Sequence, residues 1–214
     1  QNWNNQKYSE FREDFENVII SLLPYSMNEA VNIAAYPDTK KVTNFFNLLL
    51  SKSEKIDENC LSEIAENVLS NTILNMNFLS ESTELISDCV RAIKILSDNK
   101  WTRASESVLT FFEQAKKFNE HGNLSDVDFA LVIYSLGEVA PLDAVTPLIA
   151  FLESLNSKVE QHSSVSEEVV LASINTLGAI GDKSAFDALL SVTYYNDPQS
   201  VLSAAREALS GLQW

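Results

Sequence analysis

The sequence predicts an all-α fold built as one stack of antiparallel helix pairs. Apolar residues recur at helical spacing almost throughout the 214 residues. Glycine and proline are scarce, five of each, whereas sheet-rich chains spend both on tight turns. The second half of the chain also repeats itself as two-helix units.

The elements follow in order. Phe11, Phe15, Val18, Ile19 and Leu22 form a helical stripe that stops before Pro24, and Ala30, Ile33 and Ala34 form a shorter one that stops at Pro37. Val42, Phe45, Phe46 and Leu49 make the next, then Leu61, Ile64, Val68 and Leu69, then Ile86, Val90, Ile93 and Leu96. A helix carrying Val108, Leu109, Phe111 and Phe112 runs to about Phe118. Five more are predicted at roughly 126–139, 142–155, 165–180, 183–194 and 199–212. Asp38, Asp143 and Asp182 each precede a stripe, where a carboxylate caps free N–H groups. Pro147 falls in a first turn, and Gly137, Gly178 and Gly211 fall at or near helix ends, as stops or points of close helix approach.

Laid against itself, the chain aligns Leu96, Leu136, Leu177 and Leu209 at separations of 40, 41 and 32 residues. Ala92-Ile93-x-x-Leu96 matches Val132-Ile133-x-x-Leu136. After each of the first three leucines a short connection leads to a second stripe: Ala104, Val108, Leu109; then Ala144, Leu148, Ile149; then Ala185, Leu189, Leu190. One helix pair cannot cover its own apolar surface, so successive pairs must stack and share a core. The small residues Ala104, Ala144 and Ala185 let paired helices approach closely.

Leu136-Gly137-x-Val139 followed by Ala144-Val145-x-Pro147-Leu148-Ile149 resembles the short HEAT repeats also found in phycobilisome lyases. Leu177-Gly178-Ala179-Ile180-Gly181-Asp182, with Ala185-Phe186-x-Ala188-Leu189-Leu190, is closer still. The resemblance implies a right-handed α-α superhelix of HEAT-like (armadillo-like) character. Residues 84–214 would be HEAT-like repeats, and residues 1–83 diverged helical repeats or a cap, continuous with them as one solenoid.

Charge bounds the partners. The formal net charge is −15, so the phosphate-neutralising surface of a nucleic-acid binder is missing. The charge is uneven: Ser53–Val90 holds eight acids against Lys55, Arg91–His121 six bases against four acids, and the chain from Gly122 onward twelve acids against Lys158, Lys183 and Arg206. This balance suits a solvated surface or steering toward a basic protein partner. No apolar run is long enough to span a membrane. The chain opens at Gln1 rather than methionine, which a removed leader or a trimmed terminus explains. An exported or cell-envelope location is preferred over a cytoplasmic one on that ground alone.

Chemistry is sparse. His121 and His162 lie in polar loops, and Glu120, His121, Asp126 and Asp128 lack the glycine and spacing of a calcium loop. Cys60 and Cys89 sit within apolar stripes, as buried free thiols do, and no Cys-x-x-Cys occurs. The paired His-Glu dipeptides of di-iron HEAT-repeat enzymes are missing, as are phosphate-binding loops and Gly-x-Ser-x-Gly. Tyr194, Tyr195, Trp101 and Trp214 read as core or capping aromatics ahead of contact residues.

No catalytic, metal or cofactor-binding residue is therefore assigned, and the expectation is a non-enzymatic scaffold that binds a protein. Its groove would be lined by the second helix of each unit, with Arg103, Glu106, Thr110, Glu113, Thr146, Ala150, Glu153, Asp187 and Ser191 facing solvent. A lyase-like or small-molecule-handling accessory protein on the same scaffold is the alternative. A structural piece of a longer envelope protein is a third reading.

Overall fold

The computed structural model describes residues 11–76, 83–195 and 198–213. Among them the fold is all-α, without strands; the extended pairing is confined to an isolated bridge between Asp182 and Gln213. The helices are α1 Arg12–Leu22, α2 Met27–Ala34, α3 Thr39–Ser51, α4 Glu58–Asn75, α5 Thr83–Asp98, α6 Ser105–Glu120, α7 Asp126–Val139, α8 Val145–Glu160, α9 Glu167–Ile180, α10 Phe186–Val192 and α11 Gln199–Gly211.

Local chemistry sets the ends. Asp38 caps α3 by accepting from the Lys41 N–H, and Asp57 caps α4 by accepting from Asn59 and Cys60. Ser125 caps α7 through the Asp128 N–H. Asp143 does not cap α8: residues 141–144 form a turn, the helix starts later than expected, and the Asp143 carboxylate instead accepts from Ser105 Oγ at 3.0 Å. Helix α10 is shorter than expected, because Lys183–Ala185 forms a separate 3-10 turn capped by Asp182. Gly181, with φ of 73°, is the left-handed residue that ends α9, while Gly137 and Gly178 lie inside helices.

The helices α5, α7, α9 and α11 pack successively side by side. Helix α4 packs on α5 and α6, α6 on α7, α8 on α9 and α10, and α10 on α11. Most helices from α4 onward therefore touch both a chain neighbour and the helix two along. Of the aligned leucines Leu96, Leu136 and Leu177 are buried, as are Ala104, Ala144 and Ala185, whereas Leu209, the fourth, is only half-buried. Polar contacts recur at a comparable spacing. Ser70 meets Ser107, Asn99 reaches Ser62, Trp101 donates to Glu66, Ser105 to Asp143 and Lys158 to Glu120, each pair 35 to 38 residues apart.

One contiguous apolar core runs from Ile20 to Leu212. Phe112, Phe129 and Phe151 anchor its middle, with ring centroids 5.5 to 6.1 Å apart. At the N-terminal end the core thins: Ile20 is the buried residue of α1, and Phe11, Phe15, Val18 and Leu22 are each more than half exposed.

Candidate interaction surface

The nine residues predicted to face solvent lie on α6, α8, α10 and the turns before them. All are exposed except Ser191, which is half-buried and donates back to the Asp187 carbonyl. Arg103 is bound to Glu66 at 2.8 Å and to Glu63 at 3.4 Å, and Glu113 pairs with Lys116 at 2.6 Å. Glu106, Glu153 and Asp187 leave this side acidic.

The other side of the array, formed by α3, α5, α7, α9 and α11, carries clefts that sequence reasoning missed. One of about 290 Å³ lies between the α3–α4 turn and α5, floored by Leu50, Ile56, Leu61 and Ile95. A second of about 320 Å³ lies between α5 and α7, walled by Val127, Leu131 and Tyr134, with Glu168 of α9 at its edge. Val127, Leu131 and Tyr134 recur at intervals of four and three residues, which places them on one helical face. That signal was present in the sequence, but α7 is apolar on nearly every side, and periodicity alone does not say which face stays uncovered.

A further cleft of about 370 Å³ sits between the α6–α7 and α8–α9 turns. Phe129, Phe151 and Leu155 form its base, and Lys116, Glu120, Asp126 and Lys158 surround it. Lys158 pairs with Glu120 at 3.0 Å, and Lys116 lies 5.0 Å above the Phe112 ring.

The suspected oxygen cluster is spent on local bonds. Glu120 holds Lys158, Asp126 accepts from Asn119 at 2.7 Å, and Asp128 accepts from Ser125 at 2.7 Å. His121 contacts the Lys117 carbonyl at 2.6 Å and His162 is exposed on its turn. Among the described residues no group of three or more His, Cys, Asp or Glu side chains is placed to hold a metal ion.

Both cysteines are free thiols. Burial pushes the Cys60 thiol up, with Asp57 and Glu63 adding to the effect, and burial pushes Cys89 well up beside Asp88. Neither is poised as a nucleophile. Tyr194 is exposed, Trp101 is half-buried with its indole N–H on Glu66, and Trp214 lies outside the described residues.

A buried charge went unnoticed in the sequence. Asp88 of α5 is 1% exposed and accepts from Thr43 of α3 and from Arg91. Arg91 also donates to Asn47 at 2.6 Å and lies 5.8 Å from the Phe46 ring centroid. This network fastens α3 to α5 and points to architecture, since a carboxylate already paired and hydrogen-bonded has little to offer a substrate.

Among the described residues no helix is long and apolar enough to cross a membrane. Comparison of the chain with protein-family models, with curated proteins and with solved structures finds no match.

Proposed function

We propose that the chain is a HEAT-like solenoid and acts as a non-enzymatic scaffold that binds a protein. One observation carries the reading: Leu96, Leu136 and Leu177, with Ala104, Ala144 and Ala185, are buried alike in three successive units, while α5, α7, α9 and α11 pack in sequence along one side. Stacking of this kind lays out an extended surface that grows with each unit. The clefts along it are open, with apolar floors and charged rims, and its charge favours a basic partner.

The test is capture with the purified chain as bait, followed by reconstitution with the purified captured protein. Saturable binding that weakens as salt rises is the expected result. A chain that retains a stoichiometric small molecule, and binds no protein in that reconstitution, overturns the reading.

The small-molecule alternative has one observation in its favour. The cleft of about 370 Å³ over Phe129 and Phe151 combines an aromatic base with several converging polar groups, and its size falls within the range of ligand sites. Native mass spectrometry of the purified chain separates the two readings, because a bound small molecule adds mass that denaturation removes.

A further inference from the structure

The clefts on either flank of α5 say what kind of partner segment fits, given the protein-binding reading above. Both are bounded by Lys94 and Asp98, whose side chains pair at 3.0 Å across one helical turn. A single charge-neutral ridge therefore separates two apolar hollows. An α-helix with its side chains is about 10 Å across, which sets the distance between the hollows. On a helix, residues i and i+7 face the same way and lie about 10 Å apart along the axis. A helix crossing α5 thus places one apolar side chain in each cleft and presents small or polar residues to the ridge.

The unspent charge selects the sign of the partner. Arg91, at the first cleft, is held by Asp88, and Lys94 by Asp98. Glu58 borders the first cleft and Glu168 the second, and among the described residues neither carboxylate has a hydrogen-bonding or ionic partner. Free acids border the two hollows, with a neutralised ridge between.

We propose that the twin clefts on α5 receive a basic amphipathic helix of a partner protein, with apolar anchors seven residues apart and a cation beyond each anchor facing Glu58 and Glu168. Val127, 62% exposed on the wall of the second cleft, is the most accessible apolar contact. The helix-in-groove mode supplies affinity through the anchors and orientation through the terminal cations.

The probe is a fluorescein-labelled, helix-stabilised peptide with two leucines seven positions apart, one lysine beyond each and alanine or serine between. It is titrated into the full chain by fluorescence anisotropy. Saturable binding is expected, weakened at least tenfold by Val127→Glu and by the pair Glu58→Lys with Glu168→Lys; because both glutamates lie in the first turns of α4 and α9, the pair is titrated at a temperature where circular dichroism shows it folded. A peptide with glutamates in place of its lysines should prefer the charge-reversed pair over the unaltered chain. Equal binding of a peptide with its leucines only two positions apart overturns the proposal, as does indifference to both sets of substitutions. So does the lack of saturable binding up to about 1 mM. A native protein captured equally well by the chain and by Val127→Glu overturns the cleft assignment and leaves the scaffold reading standing. Failure of both capture and peptide binding removes both.

Discussion

Gly178 of α9 lies against Ala208 of α11 with no room for a β-carbon. One placed on Gly178 would sit 2.7 Å from Ala208 Cβ and 3.0 Å from its Cα. These are backbone-anchored atoms that cannot swing aside. The Leu177-Gly178 step of the repeat is therefore a contact of two helices, and the stop belongs to Gly181.

Gly178→Ala pits two effects against each other. Alanine gains up to about 1 kcal/mol in helix propensity, but forced overpacking costs about 1–3 kcal/mol. The clash should win by about 1 kcal/mol, lowering the denaturation midpoint. The compensating pair Gly178→Ala with Ala208→Gly should recover part of that loss. A midpoint raised by the single substitution, through an uncancelled gain in helix propensity, would show that α9 and α11 separate freely.

Asp88 tests how α3 is held. Asp88→Ala strips Thr43 and Arg91 of their shared acceptor while the Arg91 head stays partly covered. Losing hydrogen bonds to a charged group typically costs about 1.5–3 kcal/mol, and a loss in that range is expected in chemical denaturation. Hydrogen exchange should rise in α3 more than in α9, because α3 packs on α5 and α9 does not depend on this contact. Uniform loss of protection would show that the network serves the whole array instead.

The helices were legible because each carries its own stripe, and the packing of α5 on α7 and of α7 on α9 because Leu96, Leu136 and Leu177 repeat along them. Which stripes find partners was less legible. Phe15 and Phe46 look alike in sequence, each in a helical apolar run, yet Phe46 is fully buried and Phe15 is 54% exposed. Burial depends on which helices a position meets, and α1 makes few contacts beyond its own turn. The clefts on α5 were hidden for the same reason, since they arise between helices distant in the chain. Asp88 sat among core positions, and only the fold brings Thr43 to it.

That contrast gives a direct measurement. Phe46→Ala removes a fully buried ring and should cost about 3–5 kcal/mol, which for a chain of this size lowers the melting temperature by about 10 °C. Phe15→Ala should cost about 1 kcal/mol or less, since half of that ring already meets water. Comparable losses from both would mean that α1 is covered in solution and that its stripe is an occupied contact.

Asp182 links the α9–α10 turn to pH. Its Oδ1 accepts from the Ser184 N–H at 2.8 Å and from Ser184 Oγ at 2.7 Å. These bonds, the backbone one foremost, hold its carboxyl below the ordinary aspartate value, with Lys183 assisting. A carboxylate whose folded value is depressed stabilises the fold fully above its unfolded value of about 3.9 and stops doing so as pH falls through the lower folded value. The stability difference between the chain and Asp182→Asn should thus be constant from neutral pH down to about 4 and shrink below it. Asparagine can still accept both bonds but carries no charge, so the pH-dependent part isolates the ionised group. A difference that instead grows on acidification would reverse the sign and show that the turn favours the protonated acid.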